Sequence, residues 1–185
     1  MPSINVVKEY RENSVYHIYN RGVEKRNTFL NNADYKRFLK YLKDALYKYE
    51  ITTFCYSLLK NHFHLLIKQM HEKDIEKFMR SLITRYVMFF NFKYDRTGNL
   101  FQSPYKARII ETDEDFLNTS AYIHNNCRGM GIAPESYPYS SFRYYLGGKY
   151  PEWLNIEEIL EYFKLEPYSV FVGRMRKVGP GLTLF

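Results

Sequence analysis

Between Ile51 and Met70 the chain carries two strand-like runs, ITTFCYSLLK and HFHLLIKQM, with only Asn61 between them. Runs this rich in β-branched, aromatic and aliphatic residues, separated by so short a break, predict an antiparallel hairpin. On each side of it lies a longer segment with helical periodicity. Asn32–Glu50 sets Phe38, Leu39, Leu42, Leu46 and Tyr49 on one stripe. The segment opening at Asp74, a candidate cap, sets Ile75, Phe78, Met79, Leu82, Ile83 and Tyr86 on one face. SVYHIYNRG (Ser14–Gly22) supplies a strand before the first helix, and a short strand around Lys106–Ile110 follows the second. The order is β-α-β-β-α-β. That order predicts an α+β fold of the ferredoxin-like, split βαβ kind: an antiparallel sheet with helices on one face.

Thr112 precedes an acidic turn and starts a further helix, expected over Asp113–Asn126 and stopped by CRGMG. Beyond Pro134 the chain becomes turn-rich, in PESYPYSSFRYYLGGKYP. EWLNIEEILEYF then offers a short amphipathic helix through Leu154, Ile156, Ile159, Leu160 and Phe163, ahead of a basic, Gly-rich tail. The expected division is a core domain over residues 1–149 and a C-terminal helical extension with that tail over residues 150–185, a size that suits one domain with an appended element. The opening MPSINVVKEYRENS lacks the apolar run of a signal peptide, and no stretch approaches membrane-spanning length. No membrane partner is expected on that ground, and the two cysteines, Cys55 and Cys127, form no disulfide framework and no C-x-x-C pattern, which points to a reducing cytoplasm.

Charge is unevenly spread. Residues 1–110 carry 20 Lys and Arg against 10 Asp and Glu, whereas residues 111–185 carry 7 against 10. The front of the chain is therefore the basic part, and a basic field favours a polyanion. Aromatic residues interleave with cations, as in RYVMFFNFKYDR (Arg85–Arg96), the combination that stacks bases and grips phosphates of single-stranded nucleic acid. Most of the 19 Tyr and 14 Phe are nonetheless expected to pack the core.

Within the hairpin, His62 and His64 occupy alternate positions of a strand, so their rings emerge side by side while Phe63 and Leu65 point the other way. Two neutral imidazoles so placed can chelate a divalent cation, or can be two polar groups on a wet sheet face. In AYIHNN, Tyr122 and Asn126 stand four residues apart on one helical face. If that helix crosses beside the histidine strand, two imidazoles, an amide oxygen and a phenol converge. Otherwise Tyr122 packs and Asn126 ends the helix. His17 reads as a structural histidine, and His71 and His124 as surface or packing residues.

The chain resembles the HUH (His-hydrophobic-His) family of single-tyrosine transposases, in particular the REP-associated tyrosine transposases and their IS200-like relatives. The matching stretches span roughly Tyr16 to Tyr145. They are YHIYNRG with Arg26 and Phe29, the strand pair ending LLKNHFHLLIK, the G-x-L-F-Q-x-P-Y-K run at Gly98–Lys106, YIHNN, and YPYSSFRYYLG. The family's usual proline after the Y-I-H-x-N segment is Cys127 here.

The resemblance implies a transposase that cleaves and rejoins single-stranded DNA through a covalent 5′-phosphotyrosine intermediate, with hairpin DNA as its partner and an open choice between monomer and homodimer. By position, it implies His62, His64 and Asn126 as ligands of Mg²⁺ or Mn²⁺ and Tyr122 as the nucleophile. Arg21, Arg26, Gln102, Lys106 and Arg108 are the expected DNA contacts. Rolling-circle initiators commonly carry a lysine where Asn126 stands, and relaxases place the tyrosine before the histidines. A rolling-circle initiator-like nickase and a catalytically silent hairpin-binding protein are the alternatives, the second disfavoured because no key residue is lost here. A histidine-triad hydrolase would need a histidine at Leu66.

Overall fold

The computed structural model describes residues 10–102 and 104–175. Four strands form one antiparallel sheet: β1 (Val15–Arg21), β2 (Ile51–Leu59), β3 (His62–Gln69) and β4 (Lys106–Ile110), in the spatial order β2-β3-β1-β4. Helix α1 (Asn32–Lys48) joins β1 to β2, and α2 (Asp74–Lys93) joins β3 to β4. This is the expected ferredoxin-like arrangement. The β2–β3 turn needs only Lys60 and Asn61.

Phe63 contacts Phe38 of α1 and Phe101 edge-on, and Phe38 packs edge-on to Tyr86 of α2, so both helices cover the Phe63 face of the sheet. Aromatic edges meeting ring faces give this layer its density. The α1 stripe differs slightly from the sequence pattern: Tyr35, Phe38, Leu42, Ala45 and Leu46 are buried, while Leu39 is half-buried. Asn31 caps α1, accepting from the Ala33 N–H, and the buried Asp34 carboxylate accepts from the Leu30 and Asn31 N–H groups. Asp34 also takes Lys93 and Tyr94, tying the start of α1 to the end of α2. Asp74 is not the cap of α2. That position is Lys73 in a left-handed conformation (φ 68°), and the Asp74 carboxylate accepts from the His71 N–H one turn back.

Helix α3 (Asp113–Asn125), capped by the Thr112 hydroxyl, lies on the opposite face of the sheet. His64, the neighbour of Phe63, meets Tyr122 of α3. The expectation of helices on one face therefore holds for α1 and α2 alone. Their connections fill that side, and the chain leaving β4 has only the other side to cover.

Residues 137–155 run along the outer edge of β2. Leu58 N–H donates to the Tyr139 carbonyl, Asn155 N–H to the Thr53 carbonyl, and the phenols of Tyr137 and Tyr145 to the carbonyls of Leu58 and Phe54. Two short helices follow, α4 (Glu157–Leu160) and α5 (Tyr168–Arg174). Leu154, Ile156, Ile159, Tyr168 and Val172 enter the same packed core as the sheet. Tyr168 shares hydrogen bonds with Ser120 and His124, both on α3 and both about 200° around the helix from Tyr122. Of the expected basic tail, residues 176–185 lie outside the described residues. Among the described residues no helix is long and apolar enough to cross a membrane.

Candidate active site

Antiparallel pairing places side chains in rows across the face that α3 covers. Ser57, His64, Tyr19 and Lys106 form one row, and Leu59, His62 and Arg21 form the next. His17 sits one step along β1, opposite Leu66 and Arg108. The alternation His17, Tyr19, Arg21 on β1 thus continues the His62 and His64 face onto the neighbouring strand.

Tyr122 projects onto this face. Its ring centroid lies 5.7 Å from His64 and 5.9 Å from His17, edge-on to both. Asn126, one turn later, donates from Nδ2 to the Tyr122 carbonyl at 3.1 Å, and its amide is within hydrogen-bonding reach of the His62 ring and the Tyr122 phenol. The structure thus brings together His62, His64, Tyr122 and Asn126. Helix α3 is held in place from both sides. Arg108 grips Asp115 through two bonds, at 2.6 and 2.9 Å, and donates to Thr119 at 2.7 Å; Tyr168 binds its back.

Both histidines are tied through Nδ1. His62 Nδ1 lies 2.6 Å from Asn61 Oδ1, and the Asn61 amide is oriented by Nδ2 donating to the Lys25 carbonyl. An amide oxygen only accepts, so His62 carries its proton on Nδ1. His64 Nδ1 lies 2.9 Å from His17 Nε2. A cation would therefore be met by Nε2 of each ring.

Burial pulls the His62 pKa down to about 4, with the Asn126 contact opposing and the Arg21 charge adding. His64 is held well below its ordinary value by burial and then by His17 and His62, and burial with the Arg108 charge brings His17 to about 3. These rings are neutral at pH 7, as metal ligands must be. Burial pushes the Tyr122 phenol up, the Asn126 contact opposing, so by itself the pocket keeps it protonated. Among the described residues no three His, Cys, Asp or Glu side chains cluster as a cage. Two imidazoles and an amide oxygen are a neutral, mixed nitrogen and oxygen donor set that could take a divalent cation and leave positions open for further oxygen ligands.

The other expected DNA contacts are dispersed. Arg21 lies beside His62 across the β1–β3 pair, and Lys106 lies in the His64 row with Nζ 5.9 Å from the Tyr19 ring. The Gln102 side chain is exposed, and its N–H donates to the Arg21 carbonyl. Arg26 is turned back onto its own loop, donating to the Val23 carbonyl and pairing with Glu24. Arg108 is spent on α3. Gly22 explains the RG pair: a Cβ there would stand 2.2 Å from the Arg26 carbonyl oxygen. The sequence reading missed Asn61 and His17 as partners of the histidine pair and Arg108 as an anchor of α3. The H-x-Y-x-R alternation on β1 was the available signal for His17; for the Arg108–Asp115 pairing there was none.

Comparison with known proteins agrees with this fold. No curated protein matches the chain. A solved structure described as "Structure of the REP associates tyrosine transposase bound to a REP hairpin" is similar over 78% of this chain and 89% of that one, with TM-score 0.63 and 17% identity, a likeness of fold. A putative transposase from Deinococcus radiodurans (14% identity, 68% and 96% covered, TM-score 0.45) and tRNA(His) guanylyltransferase from Saccharomyces cerevisiae (12%, 86% and 80%, 0.39) are more distant. The profile of the family described as "Transposase IS200 like" matches residues 10–126, well over half the chain. With strand order, helix placement and family profile in agreement, the chain belongs to the IS200-like transposases.

Proposed function

We propose that this transposase cleaves and rejoins single-stranded DNA through Tyr122. The observation that carries the reading is the seating of a phenol from a late helix against two neutral, Nδ1-tethered imidazoles and one amide. In the forward step the Tyr122 Oη attacks a backbone phosphorus. The phenol gives up its proton as the P–Oη bond forms, the P–O3′ bond breaks with the 5′ phosphate left on the tyrosine, and the departing O3′ takes up a proton to become a 3′-OH. A second 3′-OH reverses the exchange and reseals the strand. The energy of the broken phosphodiester is kept in the phosphotyrosine, so no nucleotide cofactor is needed.

His62, His64 and Asn126 would hold Mg²⁺ or Mn²⁺, which when bound supplies positive charge at the phosphate and beside the phenol. Tyr122 then presents its oxygen from a helix that Arg108 and Tyr168 immobilise, and the burial that raises its pKa also keeps water from competing. Lys106 and Arg21, on the same face, meet DNA phosphates on either side of the reacting one. The substrate is hairpin DNA with a single-stranded flank, consistent with the basic front of the chain. Residues 1–149 are the catalytic unit in this reading and residues 150–185 an accessory segment, of which Tyr168 and Val172 steady α3.

The test is an adduct assay with Mn²⁺ and single-stranded oligonucleotides made from palindromes flanking the gene. Wild type forms a covalent complex that survives denaturing electrophoresis, and Tyr122→Phe forms none. An adduct undiminished in Tyr122→Phe refutes the assignment.

A further inference from the structure

His17 is fully buried on β1, with its ring against Tyr19 (5.0 Å), His64 (5.1 Å) and Tyr122 (5.9 Å). Its Nε2 lies 2.9 Å from His64 Nδ1, while its own Nδ1 has no hydrogen-bond partner. A purely structural ring here would be better served by phenylalanine, which fills the space without an unpartnered nitrogen. The placement calls for a reason.

His62 suggests one. Its Nδ1–H is fixed by an oriented amide oxygen, so its lone pair is on Nε2. The atom facing the His64 Nδ1 belongs to another imidazole, which can donate or accept. Were His17 to donate, the His64 proton would sit on Nε2, the nitrogen that must meet the cation. Ligation requires the reverse polarity.

We propose that His17 is the positioning residue for His64, accepting its Nδ1–H and so holding the lone pair on His64 Nε2 toward the ion. His17 does for His64 what Asn61 does for His62, and the two partners fix both ligand rings from outside the site. Outer partners of this kind set ring orientation, tautomer and ligand basicity. The inference rests on the proposed metal site. It adds a residue that touches neither metal nor DNA.

The experiment measures Mn²⁺ affinity of the full chain by calorimetry, without DNA, for wild type, His17→Phe, His17→Gln and His64→Ala. His17→Phe keeps the ring and removes the acceptor, and its affinity should fall about 10–100-fold. His17→Gln places Oε1 near the former Nε2 and should recover most of that loss. Wild-type affinity in His17→Phe overturns the role of His17 while leaving the metal site standing. Wild type binding no tighter than His64→Ala overturns the metal site, and the inference with it. Should both His17 variants fail to fold, imidazole ¹⁵N spectra of Mg²⁺-loaded wild type decide: a proton on His64 Nδ1 supports the proposal, and one on Nε2 overturns it.

Discussion

Acidification should unfold this protein unusually early. His17, His64 and His124 are all fully buried, and burial is the first cause that lowers the pKa of each, to about 3 for His17 and His124. In the unfolded chain each titrates near its ordinary value of about 6.5. A group whose folded pKa is depressed binds protons mainly when unfolded, so stability is complete above about pH 6.5 and is lost as pH falls below it. From pH 7 to pH 5, one histidine kept neutral by folding removes about 1.9 kcal/mol. His124 counts in full. His17 and His64 share a hydrogen bond and together count for between one and two protons. Counting these three and leaving aside the less buried His62, whose pKa also falls to about 4, the loss is about 4–6 kcal/mol, set against a typical total of about 5–15 kcal/mol. Few carboxylates titrate in this window, so the histidines dominate it. The assay is urea unfolding at pH 7, 6 and 5 with a chelator present, followed by far-ultraviolet circular dichroism. With a slope of about 2 kcal/mol per molar urea, the midpoint should fall by roughly 2–3 M. An equal or higher midpoint at pH 5 would refute the claim that these rings are buried and neutral.

Other outcomes follow from the same geometry. Arg108→Met removes the two bonds to Asp115 and the one to Thr119. It should cost about 1–3 kcal/mol of stability in thermal unfolding and slow adduct formation while leaving the salt dependence of DNA binding unchanged. A salt slope reduced by about one would return Arg108 to phosphate contact. Lys106→Gln should weaken binding of single-stranded DNA uniformly across sequences and lower the slope of log affinity against log salt by about 0.7, read by fluorescence anisotropy. An unchanged slope would remove Lys106 from the interface.

Much of this architecture was legible because local signals and tertiary packing agree. The hairpin around Asn61, the Thr112 cap and the stripe of Phe38, Leu42 and Leu46 each follow from side-chain period or turn chemistry and survive into the fold. The side of the sheet taken by α3 was not legible, since it depends on which face α1 and α2 leave open. For the site, the alternate spacing of His62 and His64 and the four-residue spacing of Tyr122 and Asn126 placed each pair internally. Only packing could bring the two pairs together. Arg108 reads as a phosphate contact in isolation, and its partners Asp115 and Thr119 are set by how α3 crosses β4, a relation no local pattern carries. Asp74 sits at the right place for a cap, yet the left-handed Lys73 moves the helix start one residue earlier.

The stretch that covers the outer edge of β2 lies far along the chain from the strand itself. The family profile ends at Asn126, whereas the groups that occupy the outer flank of β2 begin at Tyr137. A fragment trimmed to the profile would present the nine-residue edge strand Ile51–Leu59 with the donors and acceptors that face away from β3 uncovered. Such a fragment should come out of cells as inclusion bodies, because the cover for that edge is supplied by the downstream segment.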